Sequence, residues 1–182
     1  MLQILVFLIL SLPLIYLSWR TLFNFDKHGL YRFITWEAIL WIAVQNYQYL
    51  QVEQFNIRLL ISSLLLVTSA LLVVWAFVVM RREGRVSRQR EDETLFGFEK
   101  TTALVTVGIF RYIRHPMYVS LLCLLWGVLL RNVETGLLLV AFLGTLMCVV
   151  AALIEERENL DYFGDSYREY MRRSKRFIPF LI

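Results

Sequence analysis

Long apolar runs constrain this chain more than any other feature of its sequence. Five runs are long enough, or nearly so, to cross the roughly 30 Å hydrocarbon core of a bilayer. They fall at about residues 1–19, 30–50, 59–80, 117–130 and 136–154. We therefore expect an all-α fold, an integral membrane bundle of about five transmembrane helices that forms a single domain over residues 1–182.

The overall composition supports a membrane protein and argues against a metal site. Hydrophobic residues make up 58% of the 182 residues, above the roughly 45–50% that is typical of soluble domains. Cys123 and Cys148 lie inside apolar runs without CxxC or Cys/His ligand spacing. We expect them to be reduced thiols in the core, and we expect no bound metal.

The second and fourth runs depart from simple spans. Residues 30–50 carry Glu37 and are rich in Trp and Tyr, which fits either a full crossing or an interfacial, partly buried helix. Residues 117–130 are short for a crossing and are joined to the fifth run by the segment RNVET. We expect the fourth and fifth runs to form a tight helical hairpin.

The positive charges predict a topology. Of the 19 Lys and Arg residues, all but Arg58 and Arg131 lie in segments 20–32, 81–116 and 155–182. The positive-inside rule then places the N-terminus outside, with the connector 81–116 and the tail 155–182 in the cytoplasm. We expect a prokaryotic inner membrane whose anionic lipids face this basic surface, and no nucleic-acid partner.

The segment RYIRHPMY, residues 111–118, stands directly before the fourth run. Pro116 disfavours helix at the preceding residue and suits the first turn of a helix. A helix N-terminus together with Arg111, Arg114 and His115 would suit a small anion. The alternative is that these cations only fix the membrane topology.

Two further polar features follow the fifth run. Glu155 and Glu156 lie where the chain leaves the hydrocarbon, so either the helix continues into the cytoplasm or a carboxylate is held there for a cationic partner. The tail has helical spacing that is interrupted at Gly164, and Ser166 to Glu169 has the pattern of a capping box that restarts a helix. This amphipathic tail would serve as a membrane-surface helix or as a lid.

The order LVTVGIFRYIRHPMY, a short hairpin, EE, and YFGDSYREYMRRSKRFIP resembles the isoprenylcysteine carboxyl methyltransferase and phospholipid methyltransferase group of membrane enzymes. The resemblance covers about residues 100–180, and it implies a cytoplasmic pocket for the donor S-adenosylmethionine, which would leave as S-adenosylhomocysteine. Phe110 stands where this group commonly has Tyr. The implied cofactor-binding residues are Thr102, Ala103, Leu104, Val105, Phe110, His115, Pro116, Met117, Tyr118 and Glu155.

The resemblance implies a lipid-like or prenylated acceptor. Ala151 occupies the position of an arginine that prenylcysteine carboxyl methyltransferases carry one turn before the glutamate, which favours a neutral amine or thiol over a carboxylate. Tyr118 and Glu156 are the candidates for a general base. Two other interpretations stay open: an NADPH-dependent enzyme related to the sterol reductases, and a non-catalytic lipid-binding membrane protein.

Overall fold

The computed structural model describes residues 1–49, 56–84 and 101–179. Within these ranges the regular elements are α-helices and two 3-10 turns, at Tyr47–Tyr49 and Gly108–Arg111. The helices are α1 (Leu2–Ser18), α2 (His28–Asn46), α3 (Ile57–Glu83), α4 (Pro116–Leu129), α5 (Thr135–Phe163) and α6 (Asp165–Arg173). The all-α prediction is confirmed for the described residues, and residues 85–100 of the predicted connector lie outside them.

Two of the helices are long and apolar enough to cross a membrane. These are α3 and α5, judged by length and composition, while α1 and α4 are apolar but shorter. The apolar faces of α3 and α5 point outward, with Leu64, Leu71 and Leu139 each more than half exposed. Such a surface needs lipid or another apolar covering. The five-span bundle itself stays a prediction.

The second run forms α2, which carries a carboxylate along its length. The Ser11 hydroxyl of α1 donates a hydrogen bond of 2.6 Å to Glu37. This hydrogen bond partly offsets the free-energy cost of placing the Glu37 carboxylate among apolar helices. It is compatible both with a full crossing by α2 and with an interfacial α2.

Small residues set the spacing of the helices around α4, which packs against α2, α3 and α5. A Cβ atom on Gly127 would lie 2.8 Å from Leu66 of α3, and one on Gly144 would lie 2.9 Å from the Cβ of Ala38. Ser62 and Ser69 of α3 donate hydrogen bonds of 2.6 and 2.7 Å to backbone carbonyls of α4. Close backbone approach and interhelical hydrogen bonds are the contacts that join helices in a membrane.

The α4–α5 hairpin and the start of α4 agree with the predictions made from the sequence. Pro116 is the first residue of α4 and His115 is its N-cap. The turn between Leu129 and Thr135 joins α4 to α5 as predicted. Helix α5 does not end with the apolar run at residue 154 but continues to Phe163, so its last turns carry the acidic pair away from the apolar segment.

The tail departs from the prediction in its capping. Gly164, with φ of +58°, ends α5 and is the N-cap of α6. It has no side chain that could accept a capping hydrogen bond. The predicted capping box at Ser166 to Glu169 is therefore wrong: the glycine permits a turn that L side chains rarely adopt, and α6 starts from it at Asp165.

After α6 the chain returns to the bundle. Lys175 pairs with the connector, since its carbonyl accepts from the Arg114 amide at 2.8 Å and its amide donates to the Tyr112 carbonyl at 2.9 Å. Phe177 packs against the cluster of Tyr118, Cys148 and Ala151. Residues 180–182 lie outside the described ranges.

Candidate active site

A polar cavity lies where the N-termini of α2 and α4 meet the C-terminal turns of α5. It encloses about 650 Å³ of space, its open mouth included. We call it the polar cavity. Its described lining residues are His28, Met80, Thr101, Leu104, Val105, Phe110, Arg114, His115, Glu155, Glu158, Asn159, Phe163, Tyr167 and Tyr170.

His115 is held between two carboxylates at the start of α4. Its ring is 3% exposed, with Nδ1 3.9 Å from Glu155 and Nε2 3.4 Å from Glu156. The Nε2 atom is buried and makes no hydrogen bond to any described residue. Its nearest described acceptor is Glu156, whereas Nδ1 is on the side of Glu155, which lines the cavity.

Glu156 anchors the tail to α5. It accepts from Arg114 Nε at 2.8 Å and from Arg176 Nη2 at 2.7 Å, and it is 3% exposed. Burial acts to raise the pKa of Glu156, but its contacts with His115, Arg176 and Arg114 outweigh burial and hold that pKa well below its ordinary value. A general base needs a pKa near the working pH. Glu156 is therefore a poor candidate for the base that the sequence suggested.

The predicted anion site is not assembled from its three cations. Arg114 is paired with Glu156 and also donates to the carbonyls of Met171 and Ser174. Arg111 is exposed, and its guanidinium carbon lies 6.0 Å from the centre of the Tyr112 ring. The sequence pattern did not reveal that Arg114 would be neutralised from α5.

Glu155 opens into the polar cavity and is held in place by its neighbours. The Tyr118 hydroxyl donates to Glu155 at 2.7 Å, and His28 Nε2 lies 4.0 Å from the same carboxylate oxygen. Burial acts to raise the pKa of Glu155. The charges of protonated His28 and His115 and the hydrogen bond from Tyr118 have a larger, opposite effect, so the pKa lies below its ordinary value. The side chain, 29% exposed, is thus an oriented carboxylate that stays ionised near neutral pH.

Tyr118, the other candidate base, lies behind this carboxylate. It is 4% exposed, and its hydroxyl is used to orient Glu155. Its ring packs with Cys148 and Ala151 in a buried cluster rather than lining the cavity. Its position fits a structural support better than a base.

The structure brings together half of the cofactor residues that the resemblance implied. Leu104, Val105, Phe110, His115 and Glu155 line the polar cavity. The remaining five do not line it; they are Thr102, Ala103, Pro116, Met117 and Tyr118. Met117 packs against the buried Val105 and Phe110 from behind the wall. Met117 and Tyr118 therefore support lining residues rather than forming the lining themselves.

The sequence did not single out His28, a lone histidine after the first apolar run. It is 1% exposed and lines the cavity. Its Nδ1 lies 2.8 Å from Glu158, which also accepts the His28 backbone amide at 3.1 Å. Glu158 follows Glu155 by three residues and so shares a face of α5 with it. That spacing was the only signal in the sequence.

Two tyrosines of α6, also missed, close the cavity from the tail side. Tyr167 and Tyr170 are buried, and the Tyr170 hydroxyl donates to the Phe110 carbonyl at 2.6 Å. Burial raises the pKa of both phenols above their ordinary value, so both stay protonated at physiological pH. The cavity therefore combines aromatic and apolar walls with carboxylates, which suits a cationic or zwitterionic ligand that also carries an apolar part.

Comparison with known proteins places the chain in a family. The phospholipid methyltransferase family matches residues 57–166, more than half of the chain. The chain belongs to this family. The match covers α3, α4 and α5, and it leaves out α2 with His28.

Individual relatives share a shorter segment. The chain is 34% identical over 71 residues to methanethiol S-methyltransferase 1 of Bradyrhizobium diazoefficiens, across 39% of this chain and 24% of that protein. It is 32% identical over 90 residues to protein-S-isoprenylcysteine O-methyltransferase of Schizosaccharomyces pombe, across 45% of this chain and 35% of that protein. The chain thus spans about a quarter to a third of the length of these curated relatives. No solved structure matches.

Proposed function

We propose that this protein transfers a methyl group from S-adenosylmethionine to a hydrophobic acceptor at the boundary between membrane and cytoplasm. The observation that carries the proposal is Glu155, an oriented carboxylate that opens into the polar cavity. Membership in a methyltransferase family supports this choice of reaction.

The residues of the cavity fit the donor. Glu155 would hold the donor ammonium through a charge-assisted hydrogen bond. His115 and Asn159 also line the cavity and are the polar residues that would contact the rest of its amino-acid portion. The apolar side chains of Leu104, Val105 and Phe110 would contact the adenine and thioether portions. When bound, the donor supplies a methyl group on a positively charged sulfur.

The protein's share of the reaction is alignment. Methyl transfer is an in-line displacement that needs no covalent intermediate, so correct placement of the two reactants and exclusion of water carry most of the rate. Glu155 is fixed by Tyr118, and the aromatic residues Tyr167 and Tyr170 of α6 line the same cavity. These contacts restrict the donor before the acceptor arrives.

Ala151 bears on the acceptor. It is fully buried, one turn before Glu155 on α5, and brings no cation to that point. We therefore favour a neutral nucleophile, a thiol or an amine, over a carboxylate. The names of the methanethiol S-methyltransferases among the relatives agree with a thiol.

Calorimetric titration of S-adenosylhomocysteine into the detergent-purified protein tests the donor site. We expect saturable binding that weakens roughly 10- to 100-fold in Glu155→Gln, since a hydrogen bond to a charged group contributes roughly 1.5–3 kcal/mol. Glu134→Gln, at the exposed opposite end of α5, makes the same charge change away from the cavity and should bind normally. Equal affinity in both variants would remove Glu155 from the site. Binding of NADPH alone would favour a reductase instead.

A further inference from the structure

We propose that His28 is a catalytic base, whose Nε2 takes the proton from a thiol acceptor while Glu158 positions its ring. This inference rests on the proposed methyl transfer; it narrows the acceptor class to thiols and adds the path of the proton. His28 lies on α2, outside the family-matched residues 57–166.

The contacts of His28 fix its tautomer. The Glu158 carboxylate can only accept, so the Nδ1 atom 2.8 Å away carries the hydrogen. The Arg32 guanidinium can only donate, so Nε2, which lies 3.3 Å from Arg32 Nη1, presents a lone pair. When His28 is neutral, its hydrogen therefore lies on Nδ1 and its basic nitrogen, Nε2, is on the side of Arg32.

That basic nitrogen is close to the group that would hold the donor. His28 Nε2 lies 4.0 Å from Glu155 Oε2, and the residue lines the polar cavity although it is 1% exposed. The contact of Nε2 with Arg32 lies at the long end of the hydrogen-bond range, so Nε2 is only weakly held by it. A thiol brought into the cavity beside Glu155 would be within reach of Nε2.

The surrounding charges favour the protonated ring once a proton has been transferred. Glu155 and Glu158 of α5 face the two ring nitrogens, at 4.0 and 2.8 Å, and Arg32 of α2 opposes them. His115 of α4 lies beyond Glu155 and shares that carboxylate. Two carboxylates on the imidazole against one adjacent guanidinium leave room for a transient positive charge.

The step balances in atoms and electrons. The S–H proton of the acceptor moves to His28 Nε2, and the acceptor sulfur forms a bond to the methyl carbon. The bond from that carbon to the donor sulfur breaks, and its electron pair stays on the donor sulfur, which becomes a neutral thioether. The imidazolium then returns its proton to water. A thiol needs such a base because the thiolate is the reactive form.

The contacts also have a purely structural explanation, which the experiment must separate from catalysis. Glu158 accepts the backbone amide of His28, the first residue of α2, and thereby satisfies an unpaired donor of that helix terminus. A structural role predicts the same loss of rate with every acceptor. A base predicts a loss that depends on acceptor acidity.

His28→Gln is therefore assayed with a series of thiols, from an alkanethiol to a more acidic aryl thiol, at one pH. General base catalysis contributes roughly 100- to 10,000-fold, so we expect a rate loss of at least about 100-fold with the alkanethiol. We expect the loss to shrink below about 10-fold with the aryl thiol, which is already ionised and needs little help. Asp161→Asn, an exposed acid on the same helix, is the control and should match the wild type with every thiol.

Glu158→Gln is the second variant, since it keeps the imidazole and changes only its partner. Its rate loss should be smaller and should fade along the thiol series in the same way. Titration with S-adenosylhomocysteine is run on each variant, and we expect affinities within about threefold of the wild type, because the base acts on the acceptor.

Three results would overturn the proposal. One is a rate loss that is uniform along the series, and another is loss of S-adenosylhomocysteine binding in His28→Gln. The third is a wild type that methylates carboxylates but no thiol, because a carboxylate has no proton to give at neutral pH. Each of these leaves donor binding by the wild type intact, whereas failure of the wild type to bind S-adenosylhomocysteine contradicts the proposed function itself.

Discussion

Among single residues, Glu156 determines how the tail is attached to the bundle. It joins Arg114 of the connector and Arg176 of the tail to α5 within a buried site. We expect Glu156→Gln to destabilise the protein by about 3–5 kcal/mol, because Arg114 is left buried without its counter-charge. Glu169→Gln removes an exposed pair with Arg173 and should change stability by no more than about 0.5 kcal/mol. Thermal unfolding in detergent measures both, and equal melting temperatures would contradict this role.

Glu156 also makes the folding stability of the protein depend on pH. The folded-state pKa of Glu156 is lowered, after burial and the contacts with His115, Arg176 and Arg114 are combined. Because this pKa is lowered on folding, ionised Glu156 stabilises the folded protein at pH values above its unfolded-state pKa of about 4.3. This stabilisation is lost as the pH falls toward the folded-state pKa. The stability difference between wild type and Glu156→Gln should therefore be constant near neutral pH and shrink below about pH 4. A difference that grows on acidification would contradict this assignment.

The predictability of the site also differs from residue to residue. Glu155 and His115 could be singled out because each lies in a local motif at the end of a predicted helix, and the helix start at Pro116 follows from its fixed geometry. The pairing of Arg114 with Glu156 and of His28 with Glu158 joins positions 42 and 130 residues apart. Such pairs depend on how α2, α4 and α5 pack, which local spacing does not specify.

Between helices, the close approach of α2 to α5 depends on Gly144. A Cβ there would lie 2.9 Å from the Cβ of Ala38 and 3.2 Å from Leu125. We expect Gly144→Ala to destabilise the protein by about 1–3 kcal/mol through overpacking, despite the better helix propensity of Ala. Gly136→Ala, in the same helix with nothing within 4 Å, should be neutral or stabilising by up to about 1 kcal/mol. Unfolding in detergent, followed by Trp fluorescence, compares them, and equal effects would contradict the packing argument.

For the molecule as a whole, whether α2 crosses the membrane determines on which side the N-terminus lies. A full crossing by α2 gives five spans and puts the N-terminus and tail on opposite sides, whereas an interfacial α2 gives four spans and puts them together. Helix α4 has 14 residues, about 21 Å, and is short for the hydrocarbon core. We expect its cavity end to lie near one membrane surface, where the proposed water-soluble donor and lipid-soluble acceptor can both arrive.

Labelling of single cysteines in intact cells decides between these arrangements. Cys123 and Cys148 are replaced by Ser, and one cysteine is introduced at Gln3, Glu134 or Arg168. We expect an impermeant maleimide to label the variants at Gln3 and Glu134 from outside, and the variant at Arg168 only after permeabilisation, because basic segments stay in the cytoplasm. If the Gln3 variant behaves like the Arg168 variant while the Glu134 variant stays accessible, α2 does not cross. Labelling of the Arg168 variant from outside would place the polar cavity on the wrong side of the membrane for a cytoplasmic donor.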